Sequence, residues 1–361
     1  MVTYWTGSIS ESSDNGWKEA RPMFMAGHHV ERVEGWGGGF ERQTPVTVAE
    51  LTQAGVTGLA AGRNHVLAVL ANGTVKALGN NELGQLGDGT DIGHATPGTV
   101  RTLTGATAVA GGCEFSLALL SDGTVKAWGA NFFGELGDGT NNQSSTPVTV
   151  TGLTGVRAIA AGCNHSLALL SDGTVKAWGN NVYGSLGDGT NNNSSTPVTV
   201  TGLTGVRAIA AGGSHSLAVL FDGTVTAWGS NFFGELGDGT ANHSNTPVTV
   251  TGLTGVRAVA GGGEYSLALL SGGTVKAWGN NGDGQLGDGT NNQSGIPVPV
   301  TGLTGVRAIT AGFSLSLAVS GGSLNAWGAD HGNVPINVVT GLSNITIIAA
   351  HSGSNLSLAA A

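Results

Sequence analysis

The sequence predicts an all-β protein: a seven-bladed β-propeller of four-stranded blades, closed by a blade shared between the N- and C-termini. Three observations carry this. A unit of fifty residues recurs, with Trp128, Trp178, Trp228 and Trp278 in one slot, Leu78 a period earlier and Trp327 in a shortened copy. Each unit holds four short strand-like runs bounded by Gly, Asp and Asn. The two chain ends are complementary fragments of one unit, as a ring requires; an open array would end in capping units with polar outer faces.

Within a unit, RAIAA is the first strand, HSLALL the second, TVKAWG the third and PVTV the fourth. Ser-Asp-Gly between the second and third signals a tight hairpin. Four-strand units repeated radially make a propeller. The Ala-rich first strand suits the crowded ring about the axis, where large side chains do not fit. Copies begin near Gly58, Ala108, Ala158, Ala208, Ala258 and Ala308, and a seventh starts in ITIIAAHSGSNLSLAAA, where the chain stops. Its remainder is expected at the other end: VTYW at 2–5 matches the third strand and TPVTV at 44–48 the fourth. Between them 7–43 reads as a long insertion loop in the shared blade, within a single domain of 1–361. It carries Trp17, Met23, Met25, His28, His29 and Trp36, and is placed either to lie over one face as a lid or to pack against the propeller side.

The repeat AAGxxHSLALLSDGTVKAWGxNxxGxLGDGT resembles that of the regulator-of-chromosome-condensation family, over about 58–361 plus the N-terminal strand. The resemblance implies a bacterial member of that family and a seven-bladed propeller closed by a shared blade. Relatives of this kind include a nucleotide exchange factor for a small GTPase and, in a shorter-repeat bacterial branch, inhibitors of β-lactamases. The exchange factor's basic chromatin-binding tail has no equivalent here, and the inner turns are mostly small or polar where the inhibitor branch uses aromatics. Fold likeness alone does not carry function across.

Composition narrows the field. Gly is abundant at 64 of 361 residues, charged residues are only 10% and aromatics 6%, yet Leu, Val, Ile and Ala recur in ordered blocks that can build a core. The net charge is −9 with no basic run, which argues against a nucleic-acid partner. No apolar run approaches a membrane span. The start MVTYWTGSISESSDNG lacks a basic n-region and an apolar h-region, so a cytoplasmic monomer is expected, although a mature secreted form has the same start. Cys113 and Cys163 are too few for a disulfide framework; small buried thiols are expected, with a metal or redox pair as the alternative. GDGTNN lacks the Lys of a phosphate loop and the spacing of a calcium loop, and no GxSxG or HExxH is present. No metal and no cofactor are expected.

Strand parity sorts the loops. The first-to-second turns and third-to-fourth loops share one face; the SDG hairpins and TGLTG connections share the other. The second face is nearly uniform between copies, whereas the first varies everywhere, and variable loops on a rigid scaffold are where function sits. Its inner turns read RNH at 63–65, CEF at 113–115, CNH at 163–165, GSH at 213–215, GEY at 263–265 and FSL at 313–315. Its outer loops carry Phe132, Phe133, Tyr183, Phe232 and Phe233. The non-repeating acids Glu82, Asp91, Glu114, Glu135, Glu235, Glu264 and Asp283 fall there, opposed from the blades only by Arg63.

Two functions fit this face. In the first, the propeller offers an acidic, aromatic-containing surface to an unknown protein partner, with the aromatics as anchors. In the second, Arg63, Asn64, His65, Glu114, Phe115, Asn164, His165, His215, Glu264 and Tyr265 line a polar pocket at the funnel mouth, under the 7–43 insertion. A small neutral or cationic ligand would enter it, and Glu114, Glu264, His165, His215 and Tyr265 are the candidates for acid–base isomerisation, elimination or cyclisation. For His65, His165 and His215 the competing role is orienting the turn, and for the aromatics it is packing between blades.

Overall fold

A computed structural model describes residues 32–36, 46–48, 51, 55–338, 344–354 and 356–361. Among these residues are seven four-stranded antiparallel sheets, the blades of a ring. Six are built from consecutive strands; the third, for instance, runs through Val156–Ala161, His165–Leu170, Val175–Gly179 and Ser194–Thr199. The seventh joins Ile347–Ala350 and Ser357–Ala360 to Val33–Trp36 and Val46–Thr47, so both ends of the chain share one sheet.

That sheet corrects one expectation. Its third strand is Val33–Trp36, not the run at 2–5. Trp36 stands opposite Ser357 as Trp178 stands opposite Ser166, so VEGW occupies the register of VKAW. The stretch 7–43 is therefore not one connection, and the link from third to fourth strand is 37–45. The run at 2–5 and Trp17, Met23, Met25, His28 and His29 lie outside the described residues.

Small residues line the axis for a packing reason. Ala60, Ala110, Ala160, Ala210 and Ala260 are buried in the innermost strands, and a Cβ on Gly111 would come within 2.6 Å of the Ala61 carbonyl oxygen. Further out, the recurring Trp fills the gap between blades, and its indole N–H must find a partner there. Trp178 Nε1 donates to Glu135 O at 2.8 Å and Trp228 Nε1 to Ser185 O at 2.9 Å, each time in the preceding blade. Ser166 and Ser216 Oγ donate to the same two carbonyls. The exposed outer strands carry Pro97, Pro147, Pro197, Pro247 and Pro297, which lack the N–H that another strand would need.

Candidate functional site

The inner turns and the third-to-fourth loops do share a face, because each loop hangs from the turn beside it. Asn80 N donates to Asn64 O, Ala130 N to Glu114 O and Asn180 N to Asn164 O, at 2.8–2.9 Å. On the opposite face the SDG hairpins meet the connections: Ser121 N donates to Gly105 O, and Ala106 N to Gly73 O across the blade junction.

Around the funnel the inner turns form a chain of backbone hydrogen bonds. Arg63 N donates to Gly112 O, Cys113 N to Cys163 O, Cys163 N to Gly213 O, Gly213 N to Gly262 O, Gly263 N to Phe313 O and Phe313 N to Ser354 O. Only main-chain atoms are used, which explains why the side chain at this slot differs from copy to copy. The same contact changes the reading of the cysteines. It brings Cys113 and Cys163 to a Cα–Cα distance of 4.5 Å, within disulfide reach, and the two are bonded rather than free thiols.

The third residue of each turn has a structural task. His65, His165 and His215 are buried, and each Nε2 lies 2.9–3.0 Å from the Oγ of Ser116, Ser216 or Ser266 in the next blade. Each serine spends its hydrogen on a carbonyl, Gln85 O, Ser185 O and Glu235 O respectively. The histidine must therefore be the donor, a neutral ring protonated at Nε2. A second proton would be placed on a buried nitrogen: Nδ1 of His65 and of His215 has no partner among the described residues. Desolvation accordingly pulls His65 and His165 down to about 4 and His215 to about 3. Tyr265 plays the same part, donating its OH to Leu315 O at 2.8 Å, and burial pushes its ionisation up. Phe115 fills the slot as a buried apolar plug. Of the acid–base candidates, only Glu114 and Glu264 are left partly open to solvent, and Glu264 accepts from Asn280 Nδ2 at 2.9 Å.

The outer loops divide differently. Phe132 and Phe232 are exposed, at 59% and 55%, and Val182 holds the same position in the blade between them at 54%. Phe133, Tyr183 and Phe233 are half-buried. Tyr183, Phe232 and His243 form one ring cluster, with centroids 4.3–5.3 Å apart. Arg63, Asn64 and Asn164 are exposed, as are Glu82, Asp91 and Asp283. Glu135 and Glu235 depart from the expectation of surface acids. Both are buried, both accept a backbone N–H of their own loop from Phe133 or Phe233 at 2.8 Å, and burial raises both above the ordinary carboxylate range. A cleft of about 250 Å³ opens between the third and fourth blades, lined by Asn164, His165, Asn180, Val182, Tyr183, Ser185, Gly213 and Ser214. Sequence reasoning missed Asn180, Ser185 and Ser214, and also His351, the buried residue that opens the inner turn of the seventh blade. Among the described residues no group of three or more His, Cys, Asp or Glu could hold a metal ion, and no helix is long and apolar enough to cross a membrane.

Residues 23–359 match the model of the RCC1-like domain. The chain belongs to the RCC1-like domain family. The structure of this RCC1-like propeller is similar to that of Prp20p from Saccharomyces cerevisiae, a protein described with its binding to Gsp1p and histones. The identity is 22%, the TM-score 0.82, and the match covers 92% of this chain and 91% of that one. A second structure of the yeast protein, with Kap60 bound, gives 22% identity and a TM-score of 0.82 over 98% and 96% of the two chains. Human WBSCR16 gives 23% and 0.82 over 91% and 98%. At these identities the likeness establishes the fold alone. No curated protein sequence matches the chain.

Proposed function

We propose that this RCC1-like propeller is an interaction module that presents its irregular face to a basic protein partner. The observation that carries the reading is the row of exposed apolar side chains, Phe132, Val182 and Phe232, at one position in three consecutive blades. Each sits on a rigid loop anchored by a buried Asn: Asn131, Asn181 and Asn231 accept the N–H of Leu136, Leu186 and Leu236 at 2.9 Å. Apolar tips held in water on stiff loops expose surface that association would bury. Around them stand Glu82, Asp91, Glu114, Glu264 and Asp283, with Arg63 as the opposing charge on the inner turns. That field favours a basic partner and speeds its encounter. The relatives lend support of a general kind, since the yeast propeller has been studied with protein partners.

The reading includes a monomer, supported by the closed ring and the prolines on the outer strands, and takes the chain as a bacterial member on the resemblance of its repeat. The Cys113–Cys163 disulfide favours an oxidising compartment over the cytoplasm expected from the sequence start.

Affinity capture from the source organism's extract tests the proposal. The intact chain, a Phe132→Ala/Phe232→Ala variant and a Phe221→Ala variant of the opposite face serve as baits. The expected result is a basic protein retained by the first and third baits and reduced at least about ten-fold with the second. Equal retention by all three would refute the assignment of the face.

A further inference from the structure

The cleft between the third and fourth blades exists because one side chain is missing there. In each of the first five blades, the outer loop leaves a backbone N–H that must be satisfied three residues before a recurring Leu-Gly. In the first blade Gln85 Oε1 accepts it from Leu83 at 3.0 Å, and in the fifth Gln285 Oε1 accepts it from Asp283 at 2.9 Å. In the second and fourth, Glu135 and Glu235 accept it from Phe133 and Phe233. The third blade has Ser185 in that place, and its Oγ donates instead to Asn180 O at 2.9 Å. Among the described residues no acceptor faces the Tyr183 N–H, and the space a longer side chain would fill is the cleft itself.

The copies also reveal which chemical group belongs there. Glutamine at this position accompanies asparagine at the loop's first residue, as Asn80 with Gln85 and Asn280 with Gln285. Glutamate accompanies Ala130 or Ser230. The reason is visible in the first blade, where Gln85 Nε2 donates to Asn80 Oδ1 at 2.8 Å, a bond that a carboxylate cannot make. The third blade carries Asn180, whose Oδ1 accepts the Val182 N–H at 3.2 Å, as Asn80 Oδ1 accepts that of Glu82 at 3.1 Å. The vacant place is therefore built for a carboxamide.

We propose that the cleft receives the side-chain carboxamide of a glutamine presented by a protein partner. Its oxygen accepts the Tyr183 N–H, and its NH₂ donates to Asn180 Oδ1. The methylene stem lies against Tyr183, whose ring is braced by Phe232 and His243. A glutamate would bring a negative charge onto a face already acidic and offer no second donor to Asn180 Oδ1 beside the Val182 N–H. The inference rests on the interaction reading above and locates a specificity contact within that face.

The test uses isotope-labelled full-length protein and N-acetyl-glutamine-N-methylamide as probe, with the corresponding blocked glutamate and leucine as controls. Amide resonances of Tyr183 and Ser214 are followed by NMR in the native chain, in Ser185→Ala and in Ser185→Gln. Ser185→Ala keeps the cleft open; Ser185→Gln fills it with the residue that occupies positions 85 and 285. The expected result is a saturable shift with the glutamine probe, of millimolar order, retained in Ser185→Ala and weakened at least about ten-fold in Ser185→Gln. No shift in the native chain overturns the inference. So does an unchanged response in Ser185→Gln, or an equal response to the glutamate or leucine compound, as a cleft holding only exchangeable water would give. Partner capture that depends on Phe132 and Phe232 while the probe fails would leave the face reading standing and sink this one. Probe binding without that dependence would do the reverse.

Discussion

Acid should loosen the ring of blades, and replacing one histidine with phenylalanine should remove a defined part of that sensitivity. His165 is buried and neutral, held down to about 4 by desolvation, whereas in the unfolded chain an imidazole titrates near 6.5. Between these values the unfolded state binds the proton and the folded state does not, so stability is complete above about 6.5 and falls as the pH drops toward 4. At pH 5 the difference of about 1.5 units between that pH and the unfolded value corresponds to about 2 kcal/mol for one such group. His65 and His215 are shifted the same way, to about 4 and about 3, so the three together cost about 6 kcal/mol at pH 5. Phe115 shows that the slot accepts a phenyl ring beside a serine that keeps its carbonyl bond, as Ser166 does with Glu135 O. His165→Phe is therefore expected to fold, with a loss of about 1 kcal/mol at pH 7.5 for the missing hydrogen bond. Urea unfolding at pH 7.5 and pH 5.0 measures the acid penalty of each chain, with a common slope. The penalty should be about 2 kcal/mol smaller in His165→Phe than in the native chain. An equal penalty in both would refute the neutral, Nε2-donating histidine and the cross-blade contact built on it.

Other outcomes follow from the same geometry. Ser185→Gln should change stability by less than about 1 kcal/mol, two hydrogen bonds formed against the Ser185 Oγ–Asn180 O bond and one side chain's freedom lost, read as a nearly unchanged urea midpoint. Gly179→Ala should cost about 3 kcal/mol or more, because φ is 103° and the new Cβ would stand 2.6 Å from Asn164 O. Gly202→Ala, with φ 68° and open space around it, should cost only about 1 kcal/mol in the same assay. Denatured without reductant, neither Cys113 nor Cys163 should take up iodoacetamide, and both should do so after reduction; labelling before reduction would contradict the bond between the blades.

How far the fold could be read from residues alone depends on where each constraint lies. Strand order and face parity lie within one copy, as alternating apolar runs and Gly-rich turns, and both were legible. Ring closure was legible too, but its third strand was placed at 2–5 when 33–36 offers the better match. Trp36 is followed by Gly37, like the Trp-Gly of five of the six internal copies, while Trp5 is followed by Thr6. The histidines were harder because their partners lie in the next copy. The separation of 51 residues between His65 and Ser116, or His165 and Ser216, was the available signal. Glu135 and Glu235 looked like surface acids because nothing in their spacing shows a side chain folding back onto its own loop. Ser185 drew no notice for a related reason: its importance lies in what four sibling blades have and the third lacks.

Hydrogen exchange on the captured complex tests most directly whether the irregular face is the binding face. Binding should slow exchange at the amides of 131–133, 182–183 and 232–233 and leave the hairpins at 121–124, 171–174 and 221–224 unchanged. Protection confined to those hairpins would contradict the account and move the partner to the opposite side of the propeller.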